Sequence, residues 1–202
     1  MRKGIVFVIS GPAGSGKSTI VDLLCSMDGD IKRSVSMTTR KPRDGEVGNV
    51  SYLFVDKDEF EKRIAEGRVL EYAEYCGNYY GTPADYVREC TESGHDIVLT
   101  IETVGAANVK KMIPDCVRVF ILPEKKELIR ERLEARGTES AEVIEKRLRQ
   151  AKVEIERASD YDYVIVNRTD RANDAAKELY EIMNAEHHRA SRNSAFIDSF
   201  KD

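Results

Sequence analysis

The stretch Gly11-Pro12-Ala13-Gly14-Ser15-Gly16-Lys17-Ser18 matches the pattern G-x-x-x-x-G-K-[ST] at every specified position. Residues 5–9 before it are continuously apolar, which predicts a buried strand, and residues 19–27 after it carry apolar side chains at helical spacing. A glycine-rich turn between a strand and a helix lets several backbone N–H groups converge on one point, and the helix N-terminus adds partial positive charge. The stretch therefore predicts a binding site for the phosphates of a nucleoside triphosphate.

The polar side chains of this loop have expected partners. Lys17 would reach the β- and γ-phosphates, and the Ser18 hydroxyl would take one position on Mg²⁺. A glycine-rich turn that binds nothing is the alternative, and the presence of both Lys17 and Ser18 with the right flanks disfavours it. The expected nucleotide-binding set is Gly11, Pro12, Ala13, Gly14, Ser15, Gly16, Lys17, Ser18 and Thr19.

Length and composition fit one globular domain. The chain has 202 residues, of which 41% are hydrophobic and 34% charged, so we expect an apolar core under a solvated surface and not a disordered chain. The net charge of −4 implies no bulk attraction to nucleic acid. No apolar stretch approaches the roughly 20 residues of a membrane helix, and no targeting segment precedes the first strand, so we expect a cytoplasmic protein without nucleic-acid or membrane partners.

The cysteines and histidines show no site of their own. No C-x-x-C pair occurs, and we expect reduced thiols at Cys25, Cys76, Cys90 and Cys116. The three histidines lack zinc-ligand spacing, so we expect structural or solvated roles for them.

The remaining pattern predicts an α/β fold whose parallel sheet is interrupted by an inserted lobe. Apolar runs at 96–101 and 116–122 are joined by helical segments, whereas residues 36–82 carry several short β elements that break the alternation. In detail, we expect one strand at 32–36, Pro83 as the first residue of a helix ending at 93, and a helix at 106–112. The residues after 187 are polar and expected to be loose.

The lobe carries a second candidate site. Arg40 and Arg43 lie three residues apart, and guanidinium groups bind phosphate bidentately, so this pair could hold a monophosphate beside Tyr52. Glu71 lies on a predicted strand between apolar neighbours, and a carboxylate there needs hydrogen-bond donors. Guanine offers two adjacent donors, N1–H and the N2 amino group, whereas adenine has an acceptor at N1; a Ser36 hydroxyl donating to O6 would strengthen the preference for guanine.

These residues carry a resemblance to a known family. The runs Ser36-Met37-Thr38-Thr39-Arg40-Lys41-Pro42-Arg43, Gly45-Glu46-Val47, Tyr52 and Gly77-Asn78-Tyr79-Tyr80-Gly81-Thr82 resemble the nucleoside-monophosphate lobe of guanylate kinases. The resemblance extends through Arg136-Gly137-Thr138-Glu139 and Arg147, which are similar to that family's lid, to Val166-Asn167. It covers residues 3–183 or so.

The resemblance implies a fold and an activity. The fold is a P-loop parallel sheet core flanked by helices, with an inserted small β-rich GMP-binding lobe and a helical lid. It implies a single domain over 1–202, with the core at 3–35, 83–124 and 160–187, the lobe at 36–82, the lid at about 125–158 and a polar tail at 188–202. The implied reaction is transfer of the γ-phosphoryl group of ATP to GMP or dGMP, with Mg²⁺ as cofactor and a homodimer left open.

The resemblance also assigns site residues. It implies that GMP is bound by Ser36, Arg40, Arg43, Tyr52, Glu71, Tyr80, Thr82 and Glu102. Asn167 would lie near the ATP adenine, and Ser18 and Glu102 would serve the metal. The residues implied to surround the transferring group are Lys17, Arg43, Arg136 and Arg147, while the neighbouring Arg132 and Arg149 are expected to be surface residues. Strand alternation predicts that Tyr79 and Tyr80 point to opposite faces, with only Tyr80 meeting the ligand.

Three positions depart from the family pattern. Guanylate kinases usually carry two aspartates in a run of the type D-x-D-x-x-G, where this chain has Thr100 and Glu102. Losing one carboxylate should weaken the outer shell of the metal, so we expect a working but slower enzyme. Arg168 also stands where an aspartate is usual after Asn167, which leaves the adenine contact open.

Two other functions compete with this interpretation. A ribose bisphosphate kinase on the same scaffold would share the phosphate loop but would not need Glu71 with Ser36. A guanylate-kinase-like scaffold domain could use the same arginines and tyrosines to bind a phosphopeptide, but such domains typically have degraded phosphate loops. The intact Lys17-Ser18 pair favours an enzyme.

Overall fold

A computed structural model describes residues 3–42, 48, 52–75, 77–135 and 140–201. Within these ranges the strands are β1 (Val6–Ser10), β2 (Ile31–Arg33), β3 (Met37–Thr38), β4 (Leu53–Phe54), β5 (Val69–Tyr75), β6 (Asn78–Pro83), β7 (Asp96–Thr100), β8 (Val117–Pro123) and β9 (Tyr163–Asn167). The α-helices described are α1 (Lys17–Met27), α2 (Lys57–Ala65), α3 (Ala84–Glu92), α4 (Thr103–Met112), α5 (Glu127–Ala135), α6 (Ala141–Glu156), α7 (Ala172–His187) and α8 (Ser194–Asp198). None of the helices in these ranges is long and apolar enough to span a bilayer.

The core is a sheet of strand order β2-β7-β1-β8-β9 in which every neighbouring pair is parallel. Its central strand β1 is buried along its full length because helices cover both faces. Phe7 and Ile9 pack with apolar residues of α1 and α7, whereas Val6 and Val8 pack with α3 and α4. The phosphate loop therefore follows the fully buried central strand of the sheet.

A second sheet of order β4-β3-β6-β5 forms the inserted lobe. Strands β5 and β6 form an antiparallel hairpin whose register places Glu71 opposite Thr82. Helix α2 covers this sheet through Phe60, which packs with Met37 and Val69. Parallel core, β-rich lobe and flanking helices confirm the predicted fold class.

Helices α5 and α6 form a separate small apolar cluster. Ile129 and Leu133 of α5 pack with Ile144 and Ala151 of α6. Ala13 of the phosphate loop is packed against the same cluster. The pair of helices predicted as a lid is thus in contact with the loop.

The predicted boundaries were wrong at three places. Residues 32–36 do not form one strand, because after β2 the Ser34 N–H makes a 2.9 Å bond to Val98 of the core sheet and the chain then crosses to the lobe. Pro83 is not helical: its ψ of 118° keeps it extended at the end of β6, opposite Val69. Helix α4 begins at Thr103, three residues earlier than expected at 106, since Gly105 in its first turn hides the apolar periodicity.

The prediction of a loose tail was also wrong in part. A 3₁₀ turn (Ala190–Asn193) and α8 follow α7 directly. Arg192 donates to the buried Glu186 carboxylate and, at 2.7 Å, to the carbonyl of Asp115. These contacts tie the start of the tail to the core.

Candidate functional site

A cleft of about 630 Å³ opens where the carboxyl ends of β1 and β7 meet the lobe sheet and α6. The structure brings to it most of the residues that the sequence singled out. Those lining the cleft are Gly11, Ala13, Gly14, Gly16, Lys17, Ser18, Thr19, Ser36, Arg40, Tyr52, Glu71, Tyr80, Glu102 and Arg147. Arg43 and Arg136 lie outside the described residues.

The phosphate loop has positive φ at three glycines, and at two of them a side chain would also collide with neighbouring atoms. Gly16 has φ of 90°, and a Cβ atom there would lie 2.3 Å from the side-chain nitrogen of Asn167. Gly11 has φ of 148°, and its Cβ would lie 2.2 Å from the carbonyl oxygen of Ile121. Side chains at either position would strain the backbone and displace its neighbours. The loop is therefore seated directly on β8 and β9.

Lys17 places a positive charge over this loop at the start of α1. Its ammonium group donates to the carbonyl oxygens of Gly11 and Pro12, at 2.5 and 3.0 Å. Helix α1 has no acidic residue in its first turn, so its N-terminus keeps its positive potential. Together these groups form an anion-binding end of the cleft.

Asn167 supports the phosphate loop from behind, and its predicted place near the ATP adenine stays a prediction. It is buried and is not among the cleft-lining residues, and its side-chain amide donates a 2.8 Å hydrogen bond to the carbonyl of Ser15. Pro12 and Ser15 are likewise buried and do not line the cleft. The buried side chains of these three residues hold the loop in shape.

Arg132 contacts the loop, so its expected placement as a surface residue was wrong. Its guanidinium group donates to the carbonyl of Gly14 at 3.0 Å. No pattern in the sequence separates Arg132 from the other charged residues of α5. Arg149, by contrast, is exposed as expected.

The lobe end of the cleft is lined by one arginine and two tyrosines. The Arg40 guanidinium carbon lies 5.5 Å from the ring centroid of Tyr52, and the Tyr52 and Tyr80 rings are 6.0 Å apart. Tyr79 points the other way and packs against Phe60, with ring centroids 5.3 Å apart. Tyr79 and Tyr80 therefore point to opposite faces of the strand, as predicted, and of the two only Tyr80 lines the cleft.

Glu71 is the buried carboxylate of the lobe. Glu71 is 8% exposed, and its Oε1 accepts a 2.7 Å hydrogen bond from the Thr82 hydroxyl. Burial raises the pKa of Glu71, the Thr82 hydrogen bond lowers it, and the charge of Glu102 raises it further, with a net rise. Thr82 is itself buried and does not line the cleft. The partner of its hydroxyl in this structure is Glu71.

Thr100 and Glu102 lie at the carboxyl end of β7 and in the turn that follows it. The Thr100 hydroxyl is buried and has no hydrogen-bond partner within the described part of the chain. Glu102 is exposed, lines the cleft and caps α4 through its backbone only.

One acidic residue in the cleft escaped the sequence analysis. Glu154 of α6 is 5% exposed, and Gln150 donates to it at 3.3 Å. Burial raises the pKa of Glu154, while the Gln150 hydrogen bond opposes the rise and Glu102 adds to it. No sequence signal separates it from the other charged residues of its helix.

The donors available to a metal suit Mg²⁺ bound with a nucleotide. Ser18 and Glu102 both line the cleft, and among the residues that the structure describes no group of three His, Cys, Asp or Glu side chains could form a metal cage. Mg²⁺ commonly takes one or two protein oxygens and completes its shell with water and substrate phosphates. A hydroxyl and a carboxylate fit that pattern.

Comparison with known proteins identifies the family. The family model described as guanylate kinase matches residues 3–186. The chain is 48% identical over 191 residues to a guanylate kinase of Lactococcus lactis, covering 95% of this chain and 92% of that protein. It is 43% identical over 203 residues to a guanylate kinase of Clostridioides difficile, covering 100% and 98%.

A solved structure shows the same architecture. The crystal structure of guanylate kinase from Anaplasma phagocytophilum superposes with a TM-score of 0.77 at 32% sequence identity, covering 95% of this chain and 90% of that one. The family model, these relatives and the cleft described above all agree. The chain therefore belongs to the guanylate kinase family.

Proposed function

We propose that the cleft transfers the γ-phosphoryl group of ATP to GMP, giving ADP and GDP. One observation carries the proposal: a glycine loop with Lys17 and a buried carboxylate, Glu71, line the same cleft. The first binds a polyphosphate, and the second selects a base with two adjacent donors. The relatives named guanylate kinase support it.

ATP binds at the loop. Backbone N–H groups between Gly11 and Ser18 and the N-terminus of α1 hold its phosphates, and Lys17 leaves its own carbonyl partners to reach the β- and γ-phosphates. Ser18 would hold Mg²⁺, with Glu102 acting through water. When bound, this ion neutralises phosphate charge. Arg132 and Asn167 keep the loop in shape.

GMP binds in the lobe. Arg40, Tyr52 and Tyr80 hold its phosphate, and Arg43 would join them. Ionised Glu71 accepts from guanine N1–H and the N2 amino group, with Ser36 donating to O6. Adenine would place its N1 lone pair against the carboxylate, leaving a buried acceptor unsatisfied, which is a strong basis for rejection. The 2′-hydroxyl is not needed for these contacts, so dGMP is also an acceptor.

Phosphoryl transfer then needs little acid–base chemistry. The attacking oxygen of the GMP phosphate is already ionised at neutral pH, so positioning and charge neutralisation supply the catalysis. Lys17 and Arg147 neutralise the developing charge, together with Arg43 and Arg136. Closure of the lobe (36–82) and the lid (125–158) over the core would exclude water and limit ATP hydrolysis.

We assign the reaction to the cytoplasm, where thiols stay reduced. Cys25, Cys90 and Cys116 are all free, which is consistent with that compartment.

The test is the steady-state kinetics of Glu71→Gln. The amide keeps the size of the side chain but offers one acceptor and two donors, so the GMP KM should rise about 10- to 100-fold while the ATP KM stays unchanged. Glu92→Gln, at an exposed position at the end of α3, is the matched control. An unchanged GMP KM in Glu71→Gln would overturn the assignment of the base site.

A further inference from the structure

Gly105 lies in the first turn of α4, where its α-carbon faces the Glu71 carboxylate. A Cβ atom at this position would lie 2.6 Å from Oε2 and 3.2 Å from Cδ of Glu71. The next neighbour, Cδ1 of Ile101, would be 3.5 Å away, which is an ordinary contact. The carboxylate thus occupies the space that any other residue would fill at position 105.

Nothing in the backbone of α4 calls for glycine here. Gly105 is not among the glycines with positive φ. Glycine is a poor helix former, because it loses more backbone freedom than alanine when the helix forms. Its presence in the first turn is therefore explained by the side chain it faces and not by helix geometry.

The Glu71 side chain has little freedom to move aside. Its neighbour Leu70 is buried in one cluster with Ala106 and Val109 of α4, so β5 cannot retreat from the helix without opening the core. On the other side, Oε1 is held by the Thr82 hydroxyl at 2.7 Å. The carboxylate is fixed between the lobe hairpin and α4.

We propose that Gly105 is a positioning residue that sets base selectivity by leaving room for the Glu71 carboxylate against α4. This inference rests on the proposed role of Glu71 in reading guanine. A methyl group at position 105 would push Oε2 away from its seat and either break the Thr82 hydrogen bond or turn the carboxylate into the space of the base. The substrate class affected is the purine monophosphate with donors at positions 1 and 2.

The test is Gly105→Ala, with Gly29→Ala as control because a Cβ at Gly29 meets nothing within 4 Å. The GMP KM should rise about tenfold or more, as for the loss of a charged hydrogen bond. The ATP KM and kcat at saturating GMP should change little. The preference for GMP over IMP, which lacks the 2-amino donor, should shrink in Gly105→Ala and stay intact in Gly29→Ala.

A double-mutant cycle with Glu71→Ala separates this inference from the proposed function. Once the carboxylate is gone, adding Gly105→Ala should have no further effect on the GMP KM. If Glu71→Ala raises the GMP KM but Gly105→Ala alone does not, the inference fails and the proposed function stands. If Glu71→Ala has no effect, the proposed base site fails and the inference with it.

Folding of the variants is read by thermal unfolding. Should Gly105→Ala fail to fold while the double variant folds, the conflict with Glu71 is confirmed directly. Failure of both to fold would overturn the proposal, since glycine would then be needed for packing of α4 and not for the carboxylate.

Discussion

The Asn167 side chain donates a 2.8 Å hydrogen bond to the carbonyl of Ser15, joining the end of β9 to the middle of the phosphate loop. The residues are 152 positions apart in sequence, and both are buried. The amide nitrogen also fills the space beside Gly16 that a side chain there would need. The edge strand of the sheet thus fixes the conformation of the loop that follows its central strand.

Asn167→Ala should therefore weaken ATP binding selectively. Loss of the donor leaves the Ser15 carbonyl unsatisfied, and we expect the ATP KM to rise about tenfold, in line with a cost of about 1–3 kcal/mol. The GMP KM should not change. Arg168→Ala, at the exposed neighbouring position, is the control. Equal changes in both KM values would contradict this account.

Arg132 should matter to ATP in the same way. Arg132→Met keeps much of the length of the side chain but removes the donor to Gly14 and the positive charge, so the ATP KM should rise about 5- to 20-fold, as for a lost hydrogen bond of about 1–2 kcal/mol. Arg149→Met serves as the control, because Arg149 is an exposed arginine of α6. If both variants behave like the wild type, the contact with Gly14 has no bearing on nucleotide binding.

Only part of the candidate site could be predicted from the sequence. The phosphate loop could be predicted because its chemistry is local, and Glu71 because a carboxylate between apolar strand residues needs a partner. Arg132 and Glu154 could not be separated from the other charged residues of α5 and α6 by pattern alone. Asn167 was predicted to lie near the nucleotide. Its position behind the loop could not be predicted, because it follows from the order of the strands in the sheet.

Other elements depended on contacts remote in sequence. The ordered tail is held by Arg192, whose partners include the carbonyl of Asp115, and polar composition suggested only a loose end. The crossing after β2 takes the chain from one sheet to another, which a run of strand-forming residues does not reveal. The early start of α4 was missed because Gly105 interrupts the apolar pattern of its first turn. Glycine is present there because the Glu71 carboxylate occupies the space of a side chain.

The raised pKa of Glu71 predicts a pH dependence of GMP binding. Burial raises this pKa, so the carboxylate takes up a proton at a higher pH than an exposed glutamate does. Protonated Glu71 cannot accept from both guanine donors, and the GMP KM of the wild type should rise as pH falls through the raised value. The same titration on Glu71→Gln should be flat over that range, and parallel profiles would contradict the assignment.

The raised pKa of Glu71 also makes the stability of the protein depend on pH. Raising the pH favours GMP binding but lowers the free energy of unfolding. Because the folded protein holds the proton on Glu71 more tightly than the unfolded chain, the free energy of unfolding falls as pH rises from the ordinary glutamate pKa through the raised one. Unfolding of the ligand-free protein in urea should show Glu71→Gln gaining stability relative to the wild type over this range. If the free energy of unfolding of the two proteins changes equally with pH, ionisation of Glu71 does not destabilise the folded protein, and this prediction is wrong.

Thr100→Asp tests the departure at the end of β7. A carboxylate in place of the unpartnered hydroxyl would strengthen the outer shell of Mg²⁺, and we expect kcat to rise about 3- to 10-fold. Thr100→Asn, which has the same shape without the charge, should not show the gain. An unchanged or lower kcat in Thr100→Asp would end the idea that this position slows the enzyme.

The contact between His187, at the end of α7, and Asp96, at the start of β7, should contribute to the stability of the protein. Its Nε2 lies 2.8 Å from the buried Asp96 carboxylate, which also accepts from the Ile5 N–H at 2.9 Å. His187→Ala removes one partner of that carboxylate and should lower the free energy of unfolding by about 2 kcal/mol. The exposed neighbour gives the control, His188→Ala, expected within about 0.5 kcal/mol of the wild type. Equal stability of the two variants would contradict the structural role.

The most direct measurement of the central claim is ADP release from ATP and Mg²⁺ in the presence of GMP, AMP, CMP or UMP, each offered separately. Turnover with GMP at least about a hundredfold above that with the other three is the predicted result, because a site built on buried hydrogen-bonding groups discriminates by that factor or more. Turnover with AMP comparable to that with GMP, or no turnover with GMP, would contradict the account.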